Sequence, residues 1–173
     1  IFLDKTGTLT LGKPKITKII VLDDYSESDI LQLAASVERY SAHPLAQAVL
    51  HVAKEHDLRL MERSDFESIP GKGVKAYVSN MIVEIYNKTI SSDNDDTHIA
   101  EIDRMEASGS TLLYIHINGD LSAILGAEDV LRGDVKQSIE DLKRKGISEI
   151  LLLSGDKKAA VKKVAEHLAV NYH

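Results

Sequence analysis

The sequence predicts an α/β fold carrying an inserted α+β unit, and three observations carry that expectation. The chain opens on an apolar strand, Ile1-Phe2-Leu3, which breaks at Asp4-Lys5-Thr6-Gly7-Thr8-Leu9-Thr10 into a loop with a glycine and threonine hydroxyls. A polar loop at the end of a buried strand is where α/β proteins place their chemistry. At the other end, Val135, Ile139 and Leu142 at helical spacing, a strand over 149–153, and Ala160, Val161, Val164 and Leu168 as a last helical stripe follow βαβ logic. The stretch between them alternates short antiparallel strands with helices. The expected division is therefore residues 1–13 and 122–173 for the α/β unit and 14–121 for the insertion.

Taken in order, Gly12-Lys13-Pro14 punctuates the chain as a first hinge, and Lys15 to Leu22 has the Ile/Val/Thr content of a strand. Ser28 is expected to cap a helix running to about Tyr40 with Ile30, Leu31, Ala34 and Val37 on one face. A second helix starts at Pro44, whose missing N–H costs nothing at the first helical position, so His43 falls at its cap. Phe66 to Ile69, Gly73 to Val78 and Met81 to Ile85 read as antiparallel strands, Ser91 to Thr97 as an acidic loop without the Gly and Glu of a calcium loop, and Asp96 to Glu106 as a short helix. Thr111 to Ile117, Asn118-Gly119 and Leu121 to Leu125 form the strongest hairpin signal. Asp134 is expected to cap the next helix, which ends in Lys143-Arg144-Lys145-Gly146, cations and glycine where the macrodipole and the chain reversal favour them.

Bulk properties bound the function. With 173 residues, 43% hydrophobic and 28% charged, the composition is that of a globular chain, and no apolar run reaches the ~20 residues of a membrane span. The net charge of −6, without a basic stripe interleaved with aromatics, argues against nucleic acid or anionic lipid as partners. There is no cysteine, hence no disulfide framework and no thiolate metal site. His43, His51, His56, His98, His116, His167 and His173 show no metal-ligand spacing. The start inside a strand and the finish just after a helix are expected of a fragment of a longer chain, and the fragment is expected to be soluble and monomeric.

The chemistry-bearing residue is Asp4, placed at a strand end to attack a phosphorus atom. Position 6 decides how far that reaction runs. An acid there would protonate the leaving group and then activate water against the aspartyl-phosphate, and this chain has Thr6. A nucleophile with no neighbouring acid/base forms an acyl-phosphate that persists. In the insertion, Glu38, His43-Pro44 and, further on, Gly71-Lys72-Gly73-Val74 combine an acceptor carboxylate, a helix-cap histidine and a glycine pair that admits close backbone approach. Two lobes joined by two linkers imply a cleft.

All seven letters from Asp4 to Thr10 match, and closely resemble, the phosphorylation motif of the P-type ATPases, and Glu-x(4)-His-Pro over Glu38 to Pro44 resembles the signature of their heavy-metal branch, the copper and zinc/cadmium pumps. The resemblance implies a haloacid-dehalogenase-like (Rossmann-type) phosphorylation domain, truncated at its C-terminus, with an inserted nucleotide-binding domain. It implies that Glu38 accepts from the adenine amino group, that His43 positions base and α-phosphate, that Gly71, Gly73 and Val74 pack closely on the ligand, and that Asn87 belongs to the same site. Tyr86 departs from the pattern, which usually has glycine there. Ser154-Gly155-Asp156 stands where the family has Thr-Gly-Asp gripping the transferred phosphoryl group, with Lys157 after it in place of Asn. Asp129 and Arg132 are further polar candidates without an assigned role.

What the resemblance implies for mechanism is transfer of the γ-phosphoryl group of ATP to Asp4, with Mg2+ held by the Asp4 carboxylate and the Thr6 carbonyl, Lys5 lowering the local negative potential, and Thr6 and Ser154 donating to phosphoryl oxygens. It places the chain at the cytoplasmic face of a membrane, with the actuator domain and transmembrane helices of the same pump as partners and a transition-metal cation as cargo. A soluble haloacid-dehalogenase-type phosphatase with a cap domain is the alternative, and Thr6 argues against it. A nucleotide sensor derived from a pump is a third possibility.

Overall fold

The computed structural model describes residues 1–87, 99–155 and 158–172. Among these the chain forms β1 (Phe2–Asp4), β2 (Thr10–Val21), α1 (Glu27–Val37), α2 (Pro44–Glu55), β3 (Arg63–Ile69), β4 (Gly73–Val78), β5 (Met81–Tyr86), α3 (Ile99–Ala107), β6 (Thr111–Ile117), β7 (Asp120–Leu131), α4 (Val135–Arg144), β8 (Leu151–Leu153), α5 (Lys158–Leu168) and β9 (Asn171–Tyr172). The acidic loop expected over 91–97, the start of the helix expected near Asp96, His98, Asp156, Lys157, His173 and the side chain of Ala160 lie outside the described residues.

The strands form two sheets. The six-stranded one has the order β2-β7-β6-β5-β4-β3, every pairing antiparallel, and the three-stranded one the order β1-β8-β9, every pairing parallel. Side chains alternate between the faces of a strand, and the large sheet buries both. On one face Val83, Ile85, Leu113, Ile115, Ala123 and Leu125 pack with Ile30, Ala34, Val37 and Val49 of α1 and α2. On the other, Tyr86, Leu112, Tyr114 and Ile124 pack with Ile102 and Met105 of α3. The small sheet has its own core, in which Leu152 meets Val135 and Ile139 of α4 and Val161, Ala165 and Leu168 of α5.

The hairpin follows its sequence signal. Asn118 and Gly119 both have positive φ, 54° and 97°, as the two-residue turn matching the strand twist requires. The second strand, however, continues past the expected Leu125 to Leu131, because β2 pairs with it from Thr10↔Leu131 to Val21↔Ala123. Gly12-Lys13-Pro14, expected as a hinge, lies inside β2 beside a register shift between Thr10 and Pro14. Proline is tolerated there because β2 is an edge strand, where a missing N–H breaks no ladder. The large sheet thus runs unbroken through both expected boundaries, 13/14 and 121/122, where β2 and β7 pair antiparallel.

Two caps differ from expectation. Ser26, not Ser28, caps α1: its Oγ accepts from the Asp29 N–H at 3.1 Å while Asp29 Oδ2 accepts from the Ser26 N–H at 3.0 Å, a reciprocal box that satisfies two orphan donors. The helix ends at Val37 rather than Tyr40, freeing Glu38 to Ser41 to form a corner. Asp134 precedes α4 in helical conformation and makes no side-chain cap bond.

Candidate functional site

Asp4 ends β1 and pairs in register with Leu153, the last residue of β8, so Asp4 and Ser154 stand together at the carboxyl edge of the parallel sheet. This is the edge at which open α/β sheets bind ligands. Asp4, Thr6 and Thr8 are exposed, Ser154 is half-buried and Gly155 is exposed, while Lys5 and Leu9 turn inward. The loop Lys5–Leu9 is tied down by the end of β7. Thr10 Oγ1 accepts from the Gly7 N–H at 3.2 Å and donates to Asp129 Oδ2 at 2.5 Å, the Arg132 N–H donates to Leu9 O at 2.9 Å, and Arg132 Nη2 donates to Gly7 O at 3.3 Å. Asp129 and Arg132 thereby acquire a structural explanation: they fix the shape of the loop that follows Asp4. The other Asp129 carboxylate oxygen, Oδ1, is buried without a partner.

Next to this loop, a cleft of about 410 Å³ between the large sheet and α5 is lined by Lys5, Lys15, Asp129 and Lys163 among others. Across it Lys163 of α5 pairs with Glu128 of β7 at 3.0 Å, and Ser110 donates to the same carboxylate at 3.0 Å. Burial pushes Glu128 up, but hydrogen bonds from Lys163 and Ser110, with the lysine charge, outweigh it and hold the carboxyl below its ordinary value.

A second cleft, about 490 Å³, lies on the insertion and collects Glu38, His43, Gly71, Gly73, Val74 and Asn87. The fold brings together all the insertion residues expected at one site. His43 precedes Pro44 at the N-cap of α2, and its Nδ1 accepts from the Leu45 N–H at 3.3 Å. An accepting Nδ1 leaves the ring proton on Nε2, available as a donor. Glu38 is 9% exposed, and its Oε2 is buried without a hydrogen-bond partner. Burial raises the Glu38 carboxyl above its ordinary value against opposing contributions from a Ser41 hydrogen bond and the charges of His43 and Arg63. A buried acceptor oxygen without a donor is costly to maintain unless a ligand supplies one.

The two glycines serve different ends. Gly71 has φ +72° in the Ile69–Lys72 turn, closed by the Lys72 N–H to Ile69 O bond at 3.0 Å, the third turn position that glycine favours. Gly73 instead sits under β5: a Cβ built on it would lie 1.9 Å from Ile85 O and 3.0 Å from Tyr86 Cα. Tyr86, the departure from the family pattern, points to the opposite face. It is buried among Ile102, Met105 and Tyr114, meets His116 edge-on at 5.6 Å, and its hydroxyl donates to Glu84 Oε1 at 3.1 Å. Its ring does not line the cleft.

The Asp4 edge and the Glu38 cleft are separate, since none of the cleft's lining residues comes from the three-stranded sheet, α4 or α5. Their ends of the large sheet agree, however. Gly73 pairs Tyr86, Tyr86 pairs Tyr114 and Tyr114 pairs Ile124, so the glycine turn lies toward the end of the sheet where β7 continues to Leu131 and Thr10 leads back to Asp4. Sequence reasoning missed Arg63, which lines the same cleft. No local pattern marks it, because its partners are on the α1 corner and on β3.

Comparison with known proteins adds the relatives. A model of a hydrolase family, the haloacid dehalogenase-like hydrolases, matches residues 1–173. A copper-exporting P-type ATPase of Legionella pneumophila subsp. pneumophila is 38% identical over 170 residues, 96% of this chain and 23% of that protein. The chain spans between a fifth and a quarter of the length of such curated relatives. Among solved structures, a zinc-transporting PIB-type ATPase in the E2.Pi state superposes with a TM-score of 0.87 at 32% identity, over 99% of this chain and 28% of that one. The catalytic domain of the CPx-ATPase CopB-B, studied for its changes upon nucleotide binding, gives 0.75 at 34% identity over 99% of this chain and 60% of that one.

Proposed function

We propose, from the premise that this chain belongs to the haloacid dehalogenase-like hydrolase family and is homologous there to the cytosolic catalytic region of copper and zinc P-type ATPases, that it is the ATP-binding and phosphorylation region of a heavy-metal-translocating pump. The observation that carries this reading is the Asp4 loop: an exposed carboxylate at the carboxyl edge of parallel strands, with Thr6 where a hydrolysing phosphatase has its second acid. The main chain of that loop is held by Asp129 and Arg132, which preorganises the nucleophile without spending a second acid on water.

In this reading the Glu38 cleft holds the nucleotide. The unpartnered Glu38 oxygen accepts from the adenine amino group, His43 Nε2 donates toward the α-phosphate, and Gly73 lets the ligand's neighbours pack without a side chain between them. Val74, Gly71 and Asn87 complete the wall. The phosphoryl group passes to an Asp4 oxygen as the bond from the γ-phosphorus to the bridging oxygen breaks, leaving ADP. Thr6 and Ser154 donate to the transferred group, and Lys5 offsets its charge. Asp156, outside the described residues, belongs to the same grip by its place in the motif.

Mg2+ takes hard oxygen ligands, and the donor set fits: the Asp4 carboxylate makes no cap hydrogen bond, and the Thr6 carbonyl follows it in an exposed loop. When bound, the ion neutralises charge between carboxylate and phosphate. Among the described residues no group of three or more His, Asp or Glu side chains is placed to hold a metal ion. We place the chain at the cytoplasmic face of a membrane, as a monomeric segment working with an actuator domain and transmembrane helices. No helix among the described residues is long and apolar enough to cross a membrane.

The test uses the full-length pump and γ-labelled ATP. Wild type is expected to trap label as a hydroxylamine-sensitive acyl-phosphate, and Asp4→Asn, whose amide cannot form one, to trap none. Label retained in Asp4→Asn would overturn the assignment.

A further inference from the structure

The wall of the cleft opposite the glycine turn holds a cation in a fixed pose. Arg63 opens β3, its Nη1 donates to Val37 O at the end of α1, and its guanidinium carbon stacks 3.7 Å from the Phe66 ring centroid and 5.3 Å from that of Tyr40. Tyr40 is steadied from its other neighbour, Arg39, at 5.4 Å, which is itself held by Glu62 at 2.6 Å. A guanidinium held by its face over a ring keeps the N–H groups at its edge able to donate. Among the described residues the only side-chain hydrogen bond Arg63 makes is the one to Val37 O. That bond ties Arg63 to the residue preceding Glu38, which carries the unpartnered acceptor oxygen and lines the same cleft. An acceptor and a donor therefore line the same cleft.

We infer that Arg63 is a base-specificity residue of this cleft, its guanidinium donating to a ring nitrogen of the purine whose 6-amino group donates to Glu38. This rests on the nucleotide reading given above and adds to it the means of discrimination. Adenine presents an amine donor beside a ring-nitrogen acceptor, which matches a carboxylate beside a guanidinium. Guanine puts the O6 acceptor in place of the amine, so its oxygen would face the carboxylate. Arginine alone has the reverse preference, since its paired donors suit the O6 and N7 acceptors of guanine. Glu38 and Arg63 together favour adenine, while Arg63 without Glu38 favours guanine. A residue that merely braced the α1 corner would change both affinities alike.

ATP and GTP are titrated into the protein by NMR, with wild type, Arg63→Met, Arg63→Gln, Glu38→Met and the double variant Glu38→Met/Arg63→Met compared. Wild type is expected to prefer ATP by about tenfold or more, the value of one well-placed charged hydrogen bond. Arg63→Met should lose most of that preference by weakening ATP, and Arg63→Gln, which keeps an N–H donor, should recover part of it. Glu38→Met should bring GTP level with or above ATP, and adding Arg63→Met should remove that advantage. If the Arg63→Met protein does not fold, Arg63→Gln carries the test through a preference about threefold below wild type. Equal loss of ATP and GTP in the Arg63 variants, or an unchanged ratio, overturns the role of Arg63 while leaving the nucleotide site standing. Absence of any nucleotide-dependent shift near Glu38 in wild type overturns both.

Discussion

Replacing Gly73 with alanine is expected to destabilise the insertion by about 2–4 kcal/mol and to abolish nucleotide binding with it. The added Cβ would sit 1.9 Å from Ile85 O and 2.9 Å from Ile85 C. Both atoms are backbone in the β4–β5 ladder, so no side chain can swing aside, and relief requires the two strands to part where Gly73 pairs Tyr86. That displacement carries Val74 and Asn87 away from Glu38 and disturbs Tyr86, which closes the opposite core. Gly71→Ala provides the contrast. Nothing lies within 4 Å of its Cβ, and only the positive φ of +72° is strained, a cost of about 1–2 kcal/mol. Thermal unfolding of the two variants should show the larger drop at Gly73, on the order of 10 °C. Equal, small drops would show that β5 does not press on this position.

Glu38→Met is expected to weaken ATP by about ten- to a hundredfold while leaving the protein as stable as wild type or more so at neutral pH. The two effects share one cause. Burial raises the folded-state carboxyl above its ordinary value, so the folded protein binds the proton more tightly than the unfolded chain does. The stability this contributes is present below the ordinary carboxylate value, 4.5, and is lost as pH rises through the folded value. Where Glu38 is ionised in the folded protein it is therefore a burden on the fold, retained for the acceptor it offers. ATP affinity should fall as pH is lowered through the raised Glu38 value, because the protonated group loses its charge as an acceptor, and the Glu38→Met variant should lack that step. Binding curves across pH on both proteins check this. A wild-type affinity without the step would remove Glu38 from the contact.

Much of this site was legible before the fold was known, for reasons that differ by residue. Asp4 and Thr6 are adjacent in sequence and their chemistry is local. Pro44 fixes a helix start, which puts His43 at its cap, and Asn118-Gly119 specifies its turn. The strand ends were less legible. Glu128 and Asp129 look like loop residues, yet β7 runs through them because β2 supplies a partner from the far end of the insertion. Gly12-Lys13-Pro14 looks like a linker and is an edge strand. Ser28 has the look of a cap, but the reciprocal bond requires an acid three positions on, which Ser26 finds in Asp29. The fate of Tyr86 was decided by strand parity: Ile85 faces the cleft side, so Tyr86 faces α3. The roles of Asp129 and Arg132 toward the Asp4 loop, and the tie of Arg63 to the end of α1, depend on contacts between distant segments that no sequence window contains.

The central claim, that the insertion is a nucleotide site serving Asp4, meets its most direct test in titration of the protein with a non-hydrolysable ATP analogue, followed by amide NMR. Shifts confined to the surroundings of Glu38, His43 and Gly71 to Val74 are the predicted result. Saturation of the protein with no shift at those residues would contradict it.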